Sequence, residues 1–217
     1  RIRLVCHKQF ITFNILHQTM IRFTSILLLF ASFSARAQHE HMQMATKKNV
    51  FLGQMDHMMM KMDEISATTS ADRDFIQMMI PHHQGAIDMA EEEIKTGKNK
   101  EMIQLAKSIK AEQQTQIQQM QLLLSHPEGF IATGNQHQNA NQKMMKVMME
   151  QMPEEKQLSD TDLSFAKIML PHHQAAIDMA KVELRYGKNK NVKRLAENII
   201  SDEQIEIQQM KTFTTSH

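Results

Sequence analysis

The residues of this chain best placed to do chemistry lie in one motif that occurs twice. The first copy reads Met79-Ile80-Pro81-His82-His83-Gln84-Gly85-Ala86-Ile87-Asp88-Met89-Ala90. The second, Met169-Leu170-Pro171-His172-His173-Gln174-Ala175-Ala176-Ile177-Asp178-Met179-Ala180, follows 90 positions later. On a helix His82 lies one turn from Met79 and two turns from Met89, so two thioethers and an imidazole share a face. His83 is rotated by about 100° and meets Met79 from the other side. Thioether with imidazole suits Cu(I), and by extension Ag(I), better than any hard cation. A ligating imidazole must be neutral, so affinity for metal should fall as the pH drops through about 6.5. The small Gly85/Ala86 and Ala175/Ala176 leave room over that face for another helix or an ion.

The bland reading of each residue stands beside the chemical one. Met at helical spacing fills irregular gaps in a core, and a lone buried His is usually a hydrogen-bonded core residue. Two adjacent His flanked by Met, and duplicated, fit that description less well. Asp88 and Asp178 either orient a His from behind or sit on the surface. Glu93 and Glu183 read as solvated charges on a helix surface.

Composition narrows the chemistry. The 217 residues include 21 Met and 12 His but one Cys, one Tyr and no Trp. One thiol can make neither an internal disulfide, a CxxC pair nor a thiolate zinc cluster. A formal charge of +1 argues against a broad nucleic-acid surface, and there is no aromatic platform for single strands. A di-iron bundle needs Glu-x-x-His, which is missing, as are His-Glu-x-x-His, G-x-S-x-G, a P-loop and G-x-G-x-x-G. Catalysis has little support, and a non-enzymatic binding protein is the expectation.

The elements that must position these residues are helices. Phe75–Met120 aligns with Phe165–Met210 at a constant offset of 90, with 24 identities in 46 positions, so the chain is an internal duplication. The offset also carries Met55, Met58, Met59 and Met62 onto Met145, Met148, Met149 and Met152. Phe51/Leu52, Met55, Met58/Met59 and Met62 recur at i, i+3, i+4 and i+7, a helical stripe. A second helix should run from about Asp72, as N-cap, to Gly97, as C′ residue. A third should start near Asn99, with Met102, Leu105, Ile109, Ile117, Met120 and Leu124 on one face. The second copy repeats this from Asp162 to Gly187 and from Asn189 to about Phe213. Pro81 and Pro171 either kink these helices beside the His pairs or break them in two.

The expected organisation is 1–37 as a leader, 38–48 as a His/Met tail, 49–124 as repeat one, 125–143 as a Gly/Asn/Gln/His-rich linker, and 144–217 as repeat two. Met20-Ile21-Arg22, the apolar run Ile26–Phe33 and Ala35-Arg36-Ala37 form a secretory signal peptide. This reading takes Met20 as the initiator and Ala37 as the last residue removed. Cys6 would belong to an over-extended reading frame. The product, Gln38–His217, would carry 20 basic against 24 acidic groups and be periplasmic or secreted, with no remaining membrane span. His39, His41, Met42 and Met44 then resemble a metal-capturing tail, while His126 and His137 in the linker read as solvated and idle.

The duplicated motif, with Gln114-x-x-Ile117-Gln118-Gln119-Met120 and Gln204-x-x-Ile207-Gln208-Gln209-Met210, resembles the domain-of-unknown-function family 305. The likeness covers about Met55–Met120 and Met145–Met210. It implies an all-α, ferritin-like four-helix bundle, and an association with copper or silver in the bacterial periplasm. Carried over, the metal ligands would be His82, His83, Met79 and Met89 with His172, His173, Met169 and Met179. Met55, Met58, Met59, Met62, Met145, Met148, Met149 and Met152 would add thioethers, and His39, His41, Met42, Met44, Met120 and Met210 are secondary candidates. The function expected is a copper buffer, Cu(I) first with Cu(II) or Ag(I) beside it, exchanging metal with other envelope copper-handling proteins. The alternatives are a metal-free helical envelope interaction or stress module and a ferritin-type metal redox enzyme. Symmetry is imperfect: His57 faces Val147, Met60 faces Glu150 and Met78 faces Ile168, so the two copies need not bind alike.

Overall fold

Short polar side chains start five of the six helices. Asn49, Ser70, Asn99, Asp160 and Asn189 each accept a hydrogen bond from a backbone N–H of the first turn, supplying a partner that the helix itself cannot. A computed structural model describes residues 48–158 and 160–217, and every long element among these is an α-helix. In chain order they are α1 (Val50–Asp63), α2 (Ala71–Thr96), α3 (Lys100–Leu124), α4 (Gln136–Glu150), α5 (Thr161–Tyr186) and α6 (Lys190–Ser216). The chain is an all-α bundle built from a duplicated unit. In each copy two long helices pair as a hairpin, α2 with α3 and α5 with α6. Helices α2 and α5 pack on each other at the centre, α1 lies on α2, and α4 on α5.

The core follows the heptad-like spacing of the apolar residues. Ile76, Met79, Ile109, Ile168, Met169 and Ile199 are buried, and Phe51 meets Phe165 with ring centroids 6.0 Å apart. Both central helices run unbroken through their prolines as single 26-residue elements. Helix α4 begins at Gln136, inside the segment read from sequence as linker. Its polar run folds because His137 and Asn141, one turn apart, are buried against neighbouring elements.

The two copies are clasped to each other at their hairpin turns. Asp72 does not cap its own helix; Ser70 does, and Asp160 rather than Asp162 caps α5. Instead Asp162 Oδ1 accepts from the Lys98 and Asn99 N–H groups of the first copy's turn, at 2.9 and 2.7 Å. Asp72 Oδ1 accepts from Lys188 and Asn189 of the second, at 3.0 and 2.7 Å. Behind each aspartate sits a glutamate from the other copy, Glu93 behind Asp162 and Glu183 behind Asp72. Neither is a solvated surface charge, because both are buried. Burial comes first, then the hydrogen bond to Asp162 and the charges of Asp162 and Asp160; together they push the Glu93 carboxyl up to about 8. Burial, and then Asp72, pushes Glu183 up to about 9, against the opposing charge of Lys193.

The clasp also explains two glycines. Gly97 and Gly187 are not left-handed C′ residues, since their φ angles are −62° and −64°. A Cβ at either would overlap an oxygen of the buried glutamate one turn earlier, so the position needs glycine for space.

Two outcomes are expected. Gly187→Ala should destabilise the fold by about 1–3 kcal/mol through overpacking, lowering the calorimetric midpoint by several degrees. Because the folded state holds Glu93 and Glu183 protonated, their contribution is complete below the ordinary Glu value near 4.5. It is lost as the pH rises through about 8 and 9. Urea midpoints should therefore fall between pH 6 and 9, and Glu93→Gln with Glu183→Gln should flatten that fall.

Candidate metal centre

Where α2 and α5 pack together, the duplicated motif brings four imidazoles into one place. His82, His83, His172 and His173 are each 0% exposed. The His82 and His172 rings stack with centroids 3.8 Å apart and planes inclined by 34°. His172 Nε2 donates to the His82 carbonyl at 3.1 Å. His83 Nε2 donates to Gln116 Oε1 at 2.7 Å, and His173 Nε2 to Glu206 Oε2 at 2.8 Å. Gln116 and Glu206 are themselves a symmetric pair, one on α3 and one on α6. Both ring nitrogens of His82, and Nδ1 of His83, His172 and His173, have no partner among the described residues.

Electrostatics keep His82, His83 and His172 neutral. Burial, and then the neighbouring imidazoles, hold His82 and His172 well below the ordinary His value. Burial lowers His83 to about 4 despite its hydrogen bond to Gln116. A neutral ring bonded through Nε2–H leaves a lone pair on Nδ1. Beyond the imidazoles lies a second polar layer on α3 and α6. Gln113 Nε2 donates to Glu203 Oε1 at 3.2 Å, and Gln116 Nε2 donates to Glu112 and Asp202 at 3.2 and 3.3 Å. Burial and then mutual repulsion raise Glu203 well above the usual carboxyl range and Glu112 to about 7. Among the described residues no three His, Asp or Glu side chains converge as a ready-made cation site.

The thioethers divide into two groups. Met79, Met89, Met120, Met169, Met179 and Met210 are fully buried, with Met55, Met58 and Met148 nearly so. The space expected over Gly85 is taken by the Met58 side chain, whose Sδ would lie 2.8 Å from a Cβ there. The second group surrounds a cleft of about 420 Å³ between α1, α2 and α4, lined by Met59, Met62, Met78, Met145 and Met149 with Asp74 and Asn141. Met149 is 37% exposed, and Met59 and Met78 are half-buried, so the cleft is open to solvent at its rim. Met152 is also half-buried, on the core's edge. His39, His41, Met42 and Met44 lie outside the described residues.

Asp88 and Asp178 do not orient a histidine. They accept from Gln84 at 2.8 Å and from Gln174 and Lys181 at 3.2 and 2.9 Å. The imidazole partners Gln116 and Glu206 escaped the sequence reading, although a signal existed. On α3 the buried positions run Met102, Leu105, Ile109, Gln113, Gln116, Met120, so amides occupy core positions while Ile117 and Leu124 are only half-buried. His137, read as idle in a linker, is 1% exposed and bonded to Asp74 at 2.8 Å.

The family model for DUF305, a domain of unknown function, matches residues 17–124 and again 126–214. The chain belongs to the DUF305 family. Among solved structures it is similar to CopM in the apo form and in the Cu(I)-bound form. Each is 28% identical with a TM-score of 0.52, covering 67% of this chain and 96% of that one. The silver-soaked form of CopM is 27% identical over 70% of this chain and 98% of that one, with a TM-score of 0.52. No curated protein matches the chain. Among the described residues no helix is long and apolar enough to cross a membrane.

The neutral imidazoles predict an acid limit to stability. A group whose folded pKa is depressed contributes above its unfolded value near 6.5 and loses that contribution as the pH falls through about 4 for His83. Urea midpoints should drop between pH 6.5 and 4, and ring-nitrogen NMR should show His83 neutral until near pH 4.

Proposed function

We propose that this DUF305 protein is a copper buffer of the periplasm or the secreted space. It binds Cu(I) through Met and His side chains on its helices and lowers free metal near the cell envelope. Ag(I) fits the same soft donors, and Cu(II) the imidazoles alone. The observation that carries the reading is the cleft between α1, α2 and α4, where five thioethers line a space that solvent reaches. Cu(I) entering there exchanges ligands with no bond made or broken in the protein, which also permits transfer to another copper-handling protein of the envelope. The His82/His83/His172/His173 quartet is the second donor set. Its five unpartnered nitrogens are sealed in the core, so it fills after the cleft and only as α2 and α5 part.

The relation to CopM, whose Cu(I)- and silver-bound structures resemble this chain, supports the choice of metal. A ferritin-type redox centre would need carboxylates at the metal. Glu93 is instead committed to Asp162, and Asp88 to Gln84; Glu206 at His173 and Asp74 at the cleft do not converge with further His, Asp or Glu as a cation site among the described residues.

Competition with a chromogenic Cu(I) chelator tests the proposal. The purified protein should strip Cu(I) from the chelator. Replacing Met59, Met62, Met78, Met145 and Met149 together by Leu, which keeps side-chain volume, should weaken the first equivalent at least about 10-fold while the circular dichroism is unchanged. A wild-type protein that fails to compete contradicts the proposal. So does a five-Leu variant that competes as well as wild type.

A further inference from the structure

The two poles of the bundle differ in charge. One pole is made by the turn 187–189 between α5 and α6, the start of α2, and the loop that leaves α3. Hydrogen bonds tie the three together. Asp72 accepts from the Lys188 and Asn189 N–H groups, Asn189 Nδ2 donates to the Gly129 carbonyl at 3.2 Å, and the Thr133 N–H donates to the Thr69 carbonyl at 2.7 Å. Six cations belong to this pole: Arg73, Arg185, Lys188, Lys190, Lys193 and Arg194. Lys193 is half-buried and the other five are exposed. None of the six forms an ion pair with a described residue. From Leu184 to Ala196 the chain carries no acidic residue, Asp72 and Glu183 are buried beneath the turn, and Glu128 is the exposed acid of the loop. Their counterparts at the opposite pole, 90 positions away, are Leu163, Lys95, Lys98, Lys100, Ile103 and Gln104, with Glu91, Glu92 and Glu101 close by in the chain. Duplication alone therefore does not account for the excess.

The same pole exposes apolar side chains. Ile131, in the loop, is 54% exposed, and Leu122, in the last turn of α3, is 63% exposed. Tyr186 ends α5 here, with the Arg185 guanidinium 5.3 Å from its ring centroid. An exposed Leu by itself is ordinary. Cations without ion-pair partners, two exposed aliphatic side chains and an amphipathic ring at one end of a bundle are the two components that hold a protein on an anionic bilayer. Basic groups are drawn to the headgroups, and apolar groups enter the interface. A nucleic acid or a free phosphate would use the cations and leave Ile131 and Leu122 in water.

We propose that this pole docks on a bilayer containing anionic phospholipid, with the cations at the headgroup phosphates and Ile131 and Leu122 in the interface. The proposal does not depend on the copper reading. It fixes where the protein works, on a membrane surface rather than free in solution.

The chain has no Trp, so Ile131→Trp gives a single fluorescent reporter at this pole and Gln104→Trp, at another exposed position, one at the opposite pole. Metal-free protein carrying either reporter is mixed with vesicles of phosphatidylcholine alone or of phosphatidylcholine with phosphatidylglycerol, with brominated chains as quencher. On the mixed vesicles the Ile131→Trp emission should shift to the blue and be quenched, and the Gln104→Trp emission should do neither. Adding Arg73→Gln, Arg185→Gln, Lys188→Gln and Arg194→Gln to the Ile131→Trp protein should weaken vesicle affinity at least about 100-fold, and high salt should release the protein. Lys95→Gln with Lys98→Gln and Lys100→Gln should leave the affinity unchanged. The proposal is overturned if the Ile131→Trp emission does not respond, if both reporters respond alike, if phosphatidylcholine alone suffices, or if the four-Gln variant binds as well as its parent. It is overturned too if soluble polyglutamate binds the pole and the mixed vesicles do not. The comparison of the two reporters decides the matter whether or not the four-Gln variant folds.

Discussion

His82, His83 and His172, enclosed where two helices pack together, are held as neutral rings, and much of the molecule follows from that constraint. An imidazolium at 0% exposure would have to be desolvated, and of the four rings only His173 has a carboxylate, Glu206, within hydrogen-bond reach. The rings of His82 and His172 stack at 3.8 Å, a distance tolerable for uncharged rings and repulsive for two cations. Gln116 and Glu206 then accept from the outer His pair, which draws amides and carboxyls into core positions of α3 and α6. Those groups crowd Glu112, Asp202 and Glu203, whose carboxyls burial and mutual repulsion shift upward. At the hairpin turns the Asp72–Glu183 and Asp162–Glu93 pairs repeat the solution, one proton allowing two carboxyls to share a buried place.

Duplication supplied the frame, and divergence supplied the chemistry. The reciprocal Asp clasps keep the symmetry, because each joins a residue of one copy to its counterpart's surroundings in the other; the His82–His172 contact does not, since only His172 donates to its partner's carbonyl. The symmetry fails at Gln113/Glu203 and Gln116/Glu206 in the interior, and at Asp74/Ser164, Met78/Ile168 and Asn141/Phe51 near the surface. The interior differences exchange an amide for a carboxyl at each position. Those near the surface convert one of two related places into a cleft lined with thioethers and polar groups. Membership of the DUF305 family accounts for the frame; the polar lining of the cleft is a feature of how this chain departs from its own repeat.

The helices, their order and the duplication were legible because periodicity and a gapless offset of 90 report local structure directly. The motif histidines were legible because adjacent His beside Met is a rare spacing. Residues whose roles depend on the other copy were not. Asp72 and Glu93 look like an N-cap and a surface charge until the partner turn is seen to lie against them. Gly97 looks like a left-handed cap, and the carboxyl that forbids a Cβ is one turn away in its own helix. His137 looked idle because its polar neighbours resemble a linker, and only the packing of α4 shows it bonded to Asp74. The interrupted heptad of α3, with Gln113 and Gln116 at core positions, was the one available sign of the buried polar layer.

X-ray absorption at the copper edge, on protein loaded with one equivalent of Cu(I), tests the central claim that this fold holds a soft ion mainly by thioether sulfur. Coordination by the cleft predicts a first shell dominated by sulfur. A shell of nitrogen and oxygen alone would contradict it.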